Sequence, residues 1–216
     1  MQKSDNTARE NSLFTVVIPT MWKSVHSRSL LEALDSCKAV GEIFIVDNNP
    51  ETTPDYLKNL NKVTLYSSGA NEHVNPSWNT GVRQAKHELV ALCNDDIVFN
   101  TDILNTINIS DDTLIGLDTS CYKLSEDATE TWLQTTCTRC YGFGCLMLFK
   151  KKDYVVIPEQ LKVWYGDDYL LANFKYVYTL HGLAVKTNMS TTSAKPEFNE
   201  IIQQDTRNYR DLPQPK

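Results

Sequence analysis

Two places in the chain set carboxylates side by side against apolar sequence. Asn94-Asp95-Asp96 follows the apolar run Leu89-Val90-Ala91-Leu92-Cys93, and Asp167-Asp168 follows Trp164-Tyr165-Gly166. Adjacent carboxylates repel each other and burial strips their hydration, so both costs fall where a cation sits beside them. Oxygen ligands of this kind suit Mg²⁺ or Mn²⁺, ions that in turn grip phosphate groups. One pair can hold a metal while the other takes up a proton. Each pair also has a plainer reading. Asn-Asp sequences end strands for conformational reasons alone, and carboxylates in the first turn of a helix are favoured by capping and by the helix dipole. His181 closes the run Tyr176-Val177-Tyr178-Thr179-Leu180. A lone histidine is usually structural, yet a strand end is also the usual place for a metal ligand.

Secondary structure must place these groups. The runs Leu13–Ile18, Ile43–Val46, Val63–Tyr66 and Leu89–Cys93 read as buried strands, and they alternate with helices predicted over Ser27–Cys37, Thr53–Leu60 and Asn75–Lys86. Such alternation implies parallel strands joined by right-handed crossovers. Ligands bind open parallel sheets at the carboxyl ends of the strands, which here carry Pro19-Thr20, Asp47-Asn48 and Asn94-Asp95-Asp96. Beyond Phe99 the pattern weakens. It predicts a short helix over Ile103–Ile109, a strand over Leu114–Leu117 and an extended piece over Thr131–Thr138. A strand over Cys145–Phe149, a helix over Asp168–Phe174, a strand over Tyr176–Leu180 and a helix over Phe198–Gln204 follow. Gly142-Phe143-Gly144 lacks a third glycine and lies far from the first strand, so it is no dinucleotide fingerprint. Glycines there let the backbone approach a ligand or a neighbouring strand. Lys186–Pro196, rich in Thr, Ser and Lys, reads as a flexible loop able to cover a site.

With 216 residues and 41% hydrophobic content, the chain has enough apolar sequence for one core. We expect a polar tail over residues 1–12, a single domain over 13–205 and a second polar tail over 206–216. A net charge of −6 with a pI near 5.2 argues against a general nucleic-acid binder, which needs a basic face. The N-terminus lacks the apolar core of a signal peptide and no apolar run reaches membrane-spanning length, so a soluble cytoplasmic protein is expected. Six cysteines without a secretory context read as free thiols, and Cys137-Thr138-Arg139-Cys140 lacks the second Cys-x-x-Cys that a four-sulfur zinc site would use.

Taken in order, Val17-Ile18-Pro19-Thr20, Ile45-Val46-Asp47-Asn48, Trp78-Asn79-Thr80-Gly81 with Ala85, Leu92-Cys93-Asn94-Asp95-Asp96, Gly142-Phe143-Gly144-Cys145-Leu146-Met147, Tyr165-Gly166-Asp167-Asp168 and His181 resemble glycosyltransferases of the GT-A fold, in particular the large family-two group. Each stretch is weak, and the ordered set is strong. The brevity of the chain, with its Lys-Lys-x-x-Tyr and Trp-Tyr-Gly-Asp-Asp wording, also looks like modules encoded by bacteriophages and large algal DNA viruses, which would place it in a host cytoplasm. Two departures stand out. The family's aspartate-any-aspartate motif has an amide, Asn94, at its first position, and its Glu-Asp base motif is shortened to Asp167-Asp168.

The resemblance implies an α/β fold of Rossmann-like GT-A type, with a mixed, mostly parallel central sheet flanked by helices. It implies metal-dependent transfer of a sugar from a UDP-hexose or UDP-deoxyhexose to a hydroxyl of a glycan or glycoprotein, with inversion. By the same resemblance Asp96 holds Mn²⁺ (or Mg²⁺), with His181 a further ligand. Thr20, Asp47, Asn48, Asn79, Asn94 and Asp95 bind the nucleotide sugar, Asp47 matching the N3 proton of uracil. Asp168 is the base and Asp167 binds acceptor or sugar hydroxyls, while Trp164 and Tyr165 offer flat faces to a sugar ring. Two rival readings stand beside it. A sugar nucleotidyltransferase would show a glycine-rich basic loop where this chain has Thr20-Met21-Trp22-Lys23-Ser24. A non-catalytic sugar- or nucleotide-binding module has no need of two acid pairs, and both are present.

Overall fold

The structure, a computed structural model, describes residues 13–188 and 196–213. The predicted N-terminal tail and most of the predicted covering loop therefore lie outside the described residues. The first half alternates as its sequence implies: β1 (Phe14–Thr20), α1 (Ser27–Ser36), β2 (Val40–Asp47), β3 (Val63–Tyr66), α2 (Val74–Gln84) and β4 (Leu89–Cys93). All four strands run parallel in the order β3-β2-β1-β4. The second half supplies β5 (Ile97–Val98), α3 (Ile103–Thr106), β6 (Thr113–Leu117), β7 (Trp132–Thr135), β8 (Leu146–Lys150), α4 (Gly166–Asn173), β9 (Tyr176–His181), β10 (Lys186–Thr187) and α5 (Asn199–Asp211).

The main sheet reads β3-β2-β1-β4-β8-β6-β9-β7. β8 is antiparallel to both β4 and β6, whereas β9 is parallel to β6 and β7 closes the edge antiparallel to β9. Two reversals therefore leave β1, β2, β4, β6 and β9 with their carboxyl ends on one edge. The turn entering β8 lies on that edge too, because Leu146 pairs with Cys93. β5 and β10 form a separate two-residue ribbon.

Alternation along β1 decides the packing. Val16 and Ile18 face a layer holding Leu30, Leu31 and Leu34 of α1, while Val17 faces Trp78 and Val82 of α2. Each such side chain contributes roughly 1.5–3 kcal/mol by leaving water, so the helices stay fixed against the strands whose ends build the site.

Several boundaries differ from the sequence pattern. The Thr53–Leu60 helix is a 3₁₀ segment over Asp55–Asn59, and the Ile103–Ile109 helix is one turn. Asn75, the predicted start of α2, lies inside it. The helix starts a residue earlier because His73 turns the chain at φ 66, and the Asn75 side chain donates instead to the Trp164 carbonyl at 3.1 Å. At the other end, α5 continues to Asp211 rather than stopping at Gln204.

Candidate functional site

β1 and β4 end next to each other, and their last residues are tied together. The Thr20 hydroxyl donates to Asp95 Oδ2 at 2.5 Å, and the Ser27 hydroxyl approaches the same oxygen at 3.4 Å. Burial pushes the Asp95 carboxyl up to about 6, the Thr20 bond working against the shift and the neighbouring Asp96 charge adding to it. Asp96 is 8% exposed, and its Oδ1 is buried without a hydrogen-bond partner. Burial raises its carboxyl as well. Asn94 is held from behind: its N–H donates to the Cys145 carbonyl at 2.9 Å.

An unpartnered buried carboxylate oxygen costs several kcal/mol if it stays charged, a cost that a bound cation would offset. Asp96 would suit a Mg²⁺- or Mn²⁺-type ion as a single carboxylate ligand. Among the described residues no group of three or more His, Cys, Asp or Glu side chains could by itself hold a metal. His181 is not brought to Asp96. β9 lies three strands from β4, about 14 Å at ordinary strand spacing. There the imidazole is engaged on all sides: Nδ1 lies 3.4 Å from Asp118 Oδ1, Nε2 lies 3.0 Å from Thr179 Oγ1, and the ring stacks on Trp132 at 5.1 Å.

The second acid pair occupies the first turn of α4, and Arg139 spans it. Its Nε lies 3.1 Å from Asp168 Oδ1 and 3.0 Å from Asp168 Oδ2, and its Nη1 lies 3.4 Å from Asp167 Oδ2. Asp167 also accepts the Asp168 N–H at 3.1 Å. Burial pushes the Asp167 carboxyl up to about 6, with Arg139 opposing the shift and Asp168 reinforcing it. The two glycines of Gly142-Phe143-Gly144 explain themselves here. A Cβ on Gly144 would stand 2.8 Å from Asp167 Oδ2, and Gly142 takes φ 81 with its missing Cβ directed into the Tyr122 ring. They let the turn before β8 close onto α4 and onto Tyr122.

What holds the loop before α4 comes from the far end of the chain. Asp205 of α5 is fully buried and accepts the N–H groups of Lys162, Val163 and Trp164 at 3.0, 2.8 and 2.9 Å. Tyr165 adopts φ 65, a left-handed conformation that costs a non-glycine residue about 1–2 kcal/mol. Its ring stacks on Tyr209 at 4.8 Å and its hydroxyl meets Thr206 Oγ1 at 3.0 Å, contacts that hold the strained residue in place.

Both acid pairs open onto one cleft of about 570 Å³. Of the residues expected at the site, Thr20, Asn48, Asn94, Asp95, Asp96, Trp164, Tyr165, Asp167 and Asp168 line it. Asp47 and Asn79 do not. Asp47 is 1% exposed and its carboxylate accepts the Asn49 N–H at 2.9 Å and the Thr53 hydroxyl, so it folds the turn after β2. The Asn79 amide donates to the Ile157 carbonyl at 2.8 Å and accepts from the Ile157 N–H and the Tyr154 hydroxyl, which pins residues 154–157 to α2. Arg139, His73, Tyr141, Phe198 and Ile202 also line the cleft, although no sequence pattern singled them out.

Comparison with known proteins agrees with this geometry. The Glycosyl transferase family 2 profile matches residues 15–157. No curated protein matches the sequence. Among solved structures the chain resembles S. aureus TarS 1-349, with a TM-score of 0.55 and 16% identity over 80% of this chain and 59% of that one. The same TarS fragment in complex with UDP-GlcNAc gives a TM-score of 0.57 and 15% identity, over 94% and 68%. GalNAc-T7 with UDP, GalNAc and Mn²⁺ gives 0.58 and 12%, over 82% and 44%. At such identities the likeness is one of fold, and the chain spans less than two thirds of the first TarS structure and less than half of GalNAc-T7. The profile, however, covers well over half of the chain: it belongs to glycosyl transferase family 2, and its fold is of GT-A type.

Proposed function

We propose that the chain transfers a hexose or deoxyhexose from a UDP-sugar to a hydroxyl of a glycan or glycoprotein, with a divalent cation and with inversion at the anomeric carbon. One observation carries this reading: a single cleft is lined by a buried acid with an unpartnered oxygen, Asp96, and by a second acid pair, Asp167-Asp168, held by an arginine. TarS in complex with UDP-GlcNAc and GalNAc-T7 with UDP and Mn²⁺ support the choice of donor and ion.

Glycosyl transfer needs two things from a protein: charge stabilisation for a departing diphosphate and a base for the acceptor hydroxyl. Asp96 holds the ion, which when bound supplies Lewis acidity to the diphosphate oxygens. Thr20, Asn48 and Asn94, all at strand ends on the same edge, contact the nucleoside and ribose. Asp95 braces Thr20, so donor binding and the metal side are mechanically joined. Asp168 takes the acceptor's proton as its oxygen bonds to the anomeric carbon and the bond from that carbon to the diphosphate breaks. A single base on the attacking side gives inversion. Trp164, whose ring makes a T-shaped contact with that of Phe198 at 6.3 Å, offers a flat surface to the sugar.

Calorimetry with UDP and GDP, each with and without Mn²⁺, tests the donor half. UDP should bind more tightly than GDP and only with the ion, and Asp96→Ala should abolish that binding. Metal-independent UDP binding would remove Asp96 from its role, and equal affinity for GDP would remove uridine.

A further inference from the structure

We propose that Arg139 is the positioning residue of the base, its guanidinium fixing Asp168 toward the acceptor while neutralising Asp167, so that the two carboxylates act as one charged unit and do not share a proton. This rests on the proposed function. Arg139 lies in the Cys-x-x-Cys stretch, outside any recognised site pattern, yet its side chain reaches both acids at 3.0–3.4 Å. Among the described residues lining the cleft it is the only Lys or Arg, against the four aspartates Asp95, Asp96, Asp167 and Asp168.

Three roles compete for such a residue: a contact to the donor diphosphate, a subsite for an anionic acceptor, or a brace for the base. Geometry and charge favour the brace. The guanidinium already contacts both carboxylates at 3.0–3.4 Å, and a forked donor shared by two acids has little left to offer a third anion. An incoming anion would have to displace carboxylates, and Arg139 with its two acids sums to −1, so the trio repels it.

Geometry agrees, because the chain just after Arg139 is tied down. Tyr122 donates its hydroxyl to the Gly142 carbonyl at 2.8 Å, Thr119 to the Tyr141 carbonyl at 3.0 Å, and the Cys140 thiol to the Leu117 carbonyl at 3.2 Å. Asp167, 17% exposed, is held between the Asp168 N–H and Nη1, while Asp168, 26% exposed, takes Nε across both of its oxygens and keeps its open side to the cleft. Other titratable groups close to the trio are Tyr209 of α5, Cys140 and Cys145. Phenols and thiols carry no positive charge, so none can replace the guanidinium. The fork geometry of arginine, absent from lysine, is what lets one side chain serve two acids.

The test compares the wild type with Arg139→Met and Arg139→Lys by three readouts. The first, the ¹³C-carboxyl NMR titration of aspartates, needs no turnover. In Arg139→Met, loss of an opposite charge should move a cleft carboxyl titration up by about one to three pH units, and Arg139→Lys should restore most of it. The second is the pH profile of transfer, whose acid limb should move up with the carboxyl titration in Arg139→Met and return in Arg139→Lys with a lower plateau. UDP–Mn²⁺ affinity, the third, should hold in both variants. An unmoved titration overturns the proposal, as does a pH profile that merely drops in height. A loss of donor affinity of about tenfold or more would hand Arg139 to the diphosphate instead. If the wild type transfers no sugar, the function falls and this role with it, while a moved NMR titration still establishes the coupling of the trio.

Discussion

Asp167 and Asp168 stand one residue apart and differ in what holds them. Asp167 is packed against Gly144 and its carboxyl sits at about 6, pushed up by burial against the pull of Arg139. Asp168 faces the cleft. On the proposed mechanism Asp168→Asn keeps its shape but takes no proton, so turnover should fall about 10²- to 10⁴-fold with UDP–Mn²⁺ affinity intact. If Asp167→Asn is the inactive variant and Asp168→Asn transfers normally, the base is misassigned. The raised Asp167 carboxyl has a further consequence. The folded state keeps this proton where the unfolded chain, at about 3.9, has lost it, so Asp167 weakens folding increasingly as pH rises from about 4 to about 6 and by a constant amount above. Asp167→Asn should therefore gain stability relative to wild type by roughly 1–3 kcal/mol between pH 4.5 and 7.5. Urea unfolding at both pH values checks it, and an equal difference at the two would contradict the buried, proton-retaining Asp167. The acid pairs were legible in the sequence because charge beside apolar sequence is visible there. Arg139 was not, since its partner lies 29 residues away and its stretch drew notice only for its cysteines. His181 showed the converse: its strand end was legible, but the sheet order that sets β9 three strands from β4 was not.

The elements that hold the second acid pair are α4 and α5, and α5 lies beyond the stretch that matches the family. Its hold on the preceding loop is one buried carboxylate and three backbone N–H groups. Removing that carboxylate takes the charged acceptor from three part-buried backbone N–H groups, hydrogen bonds of a kind worth about 1.5–3 kcal/mol each, and the relief is for α5 to undock. Asp205→Ala should speed hydrogen exchange at the Lys162, Val163 and Trp164 amides and lower turnover, while UDP–Mn²⁺ affinity stays near the wild-type value. Persistent protection of those amides would show that α5 is not the clamp. The same polar anchor explains why the last turns of α5 read as a tail: the residue that docks the helix is an aspartate, and no apolar period announces it. β1, β2, β4 and α1 were legible for the opposite reason, since their contacts are apolar and periodic. The start of α2 was misplaced by one residue because proline and asparagine signal a helix locally, whereas the contact between Asn75 and Trp164 that sets the register is tertiary.

At the scale of the whole molecule, the sheet brings to one edge groups that the chain spreads from Thr20 to Asp168. Parallel order through β4 was implied by the alternation of strands and helices. The antiparallel insertion of β8 was not, because an apolar run such as Cys145–Phe149 carries no direction. No helix among the described residues is long and apolar enough to cross a membrane. A chain of net charge −6 that gathers four aspartates around one cleft binds a diphosphate poorly unless a cation comes with it. UDP and Mn²⁺ should therefore raise the thermal midpoint together and not UDP alone. At a hundredfold excess over the dissociation constant, ligand linkage contributes about 2.7 kcal/mol, which for a domain of this size is a rise of about 5–11 °C. The effect should also depend on pH. Burial pushes the Asp95 carboxyl up to about 6 and raises that of Asp96 in the same direction. In the free protein both therefore keep protons at a higher pH than an ordinary carboxylate, which stabilises the free fold as pH falls. On the proposed reading the ion needs Asp96 ionised, so its proton competes with Mn²⁺. The rise in midpoint should be full at pH 7.5 and should shrink markedly by pH 5, and a rise of equal size at both values would show that the strand-end aspartates do not carry the ion.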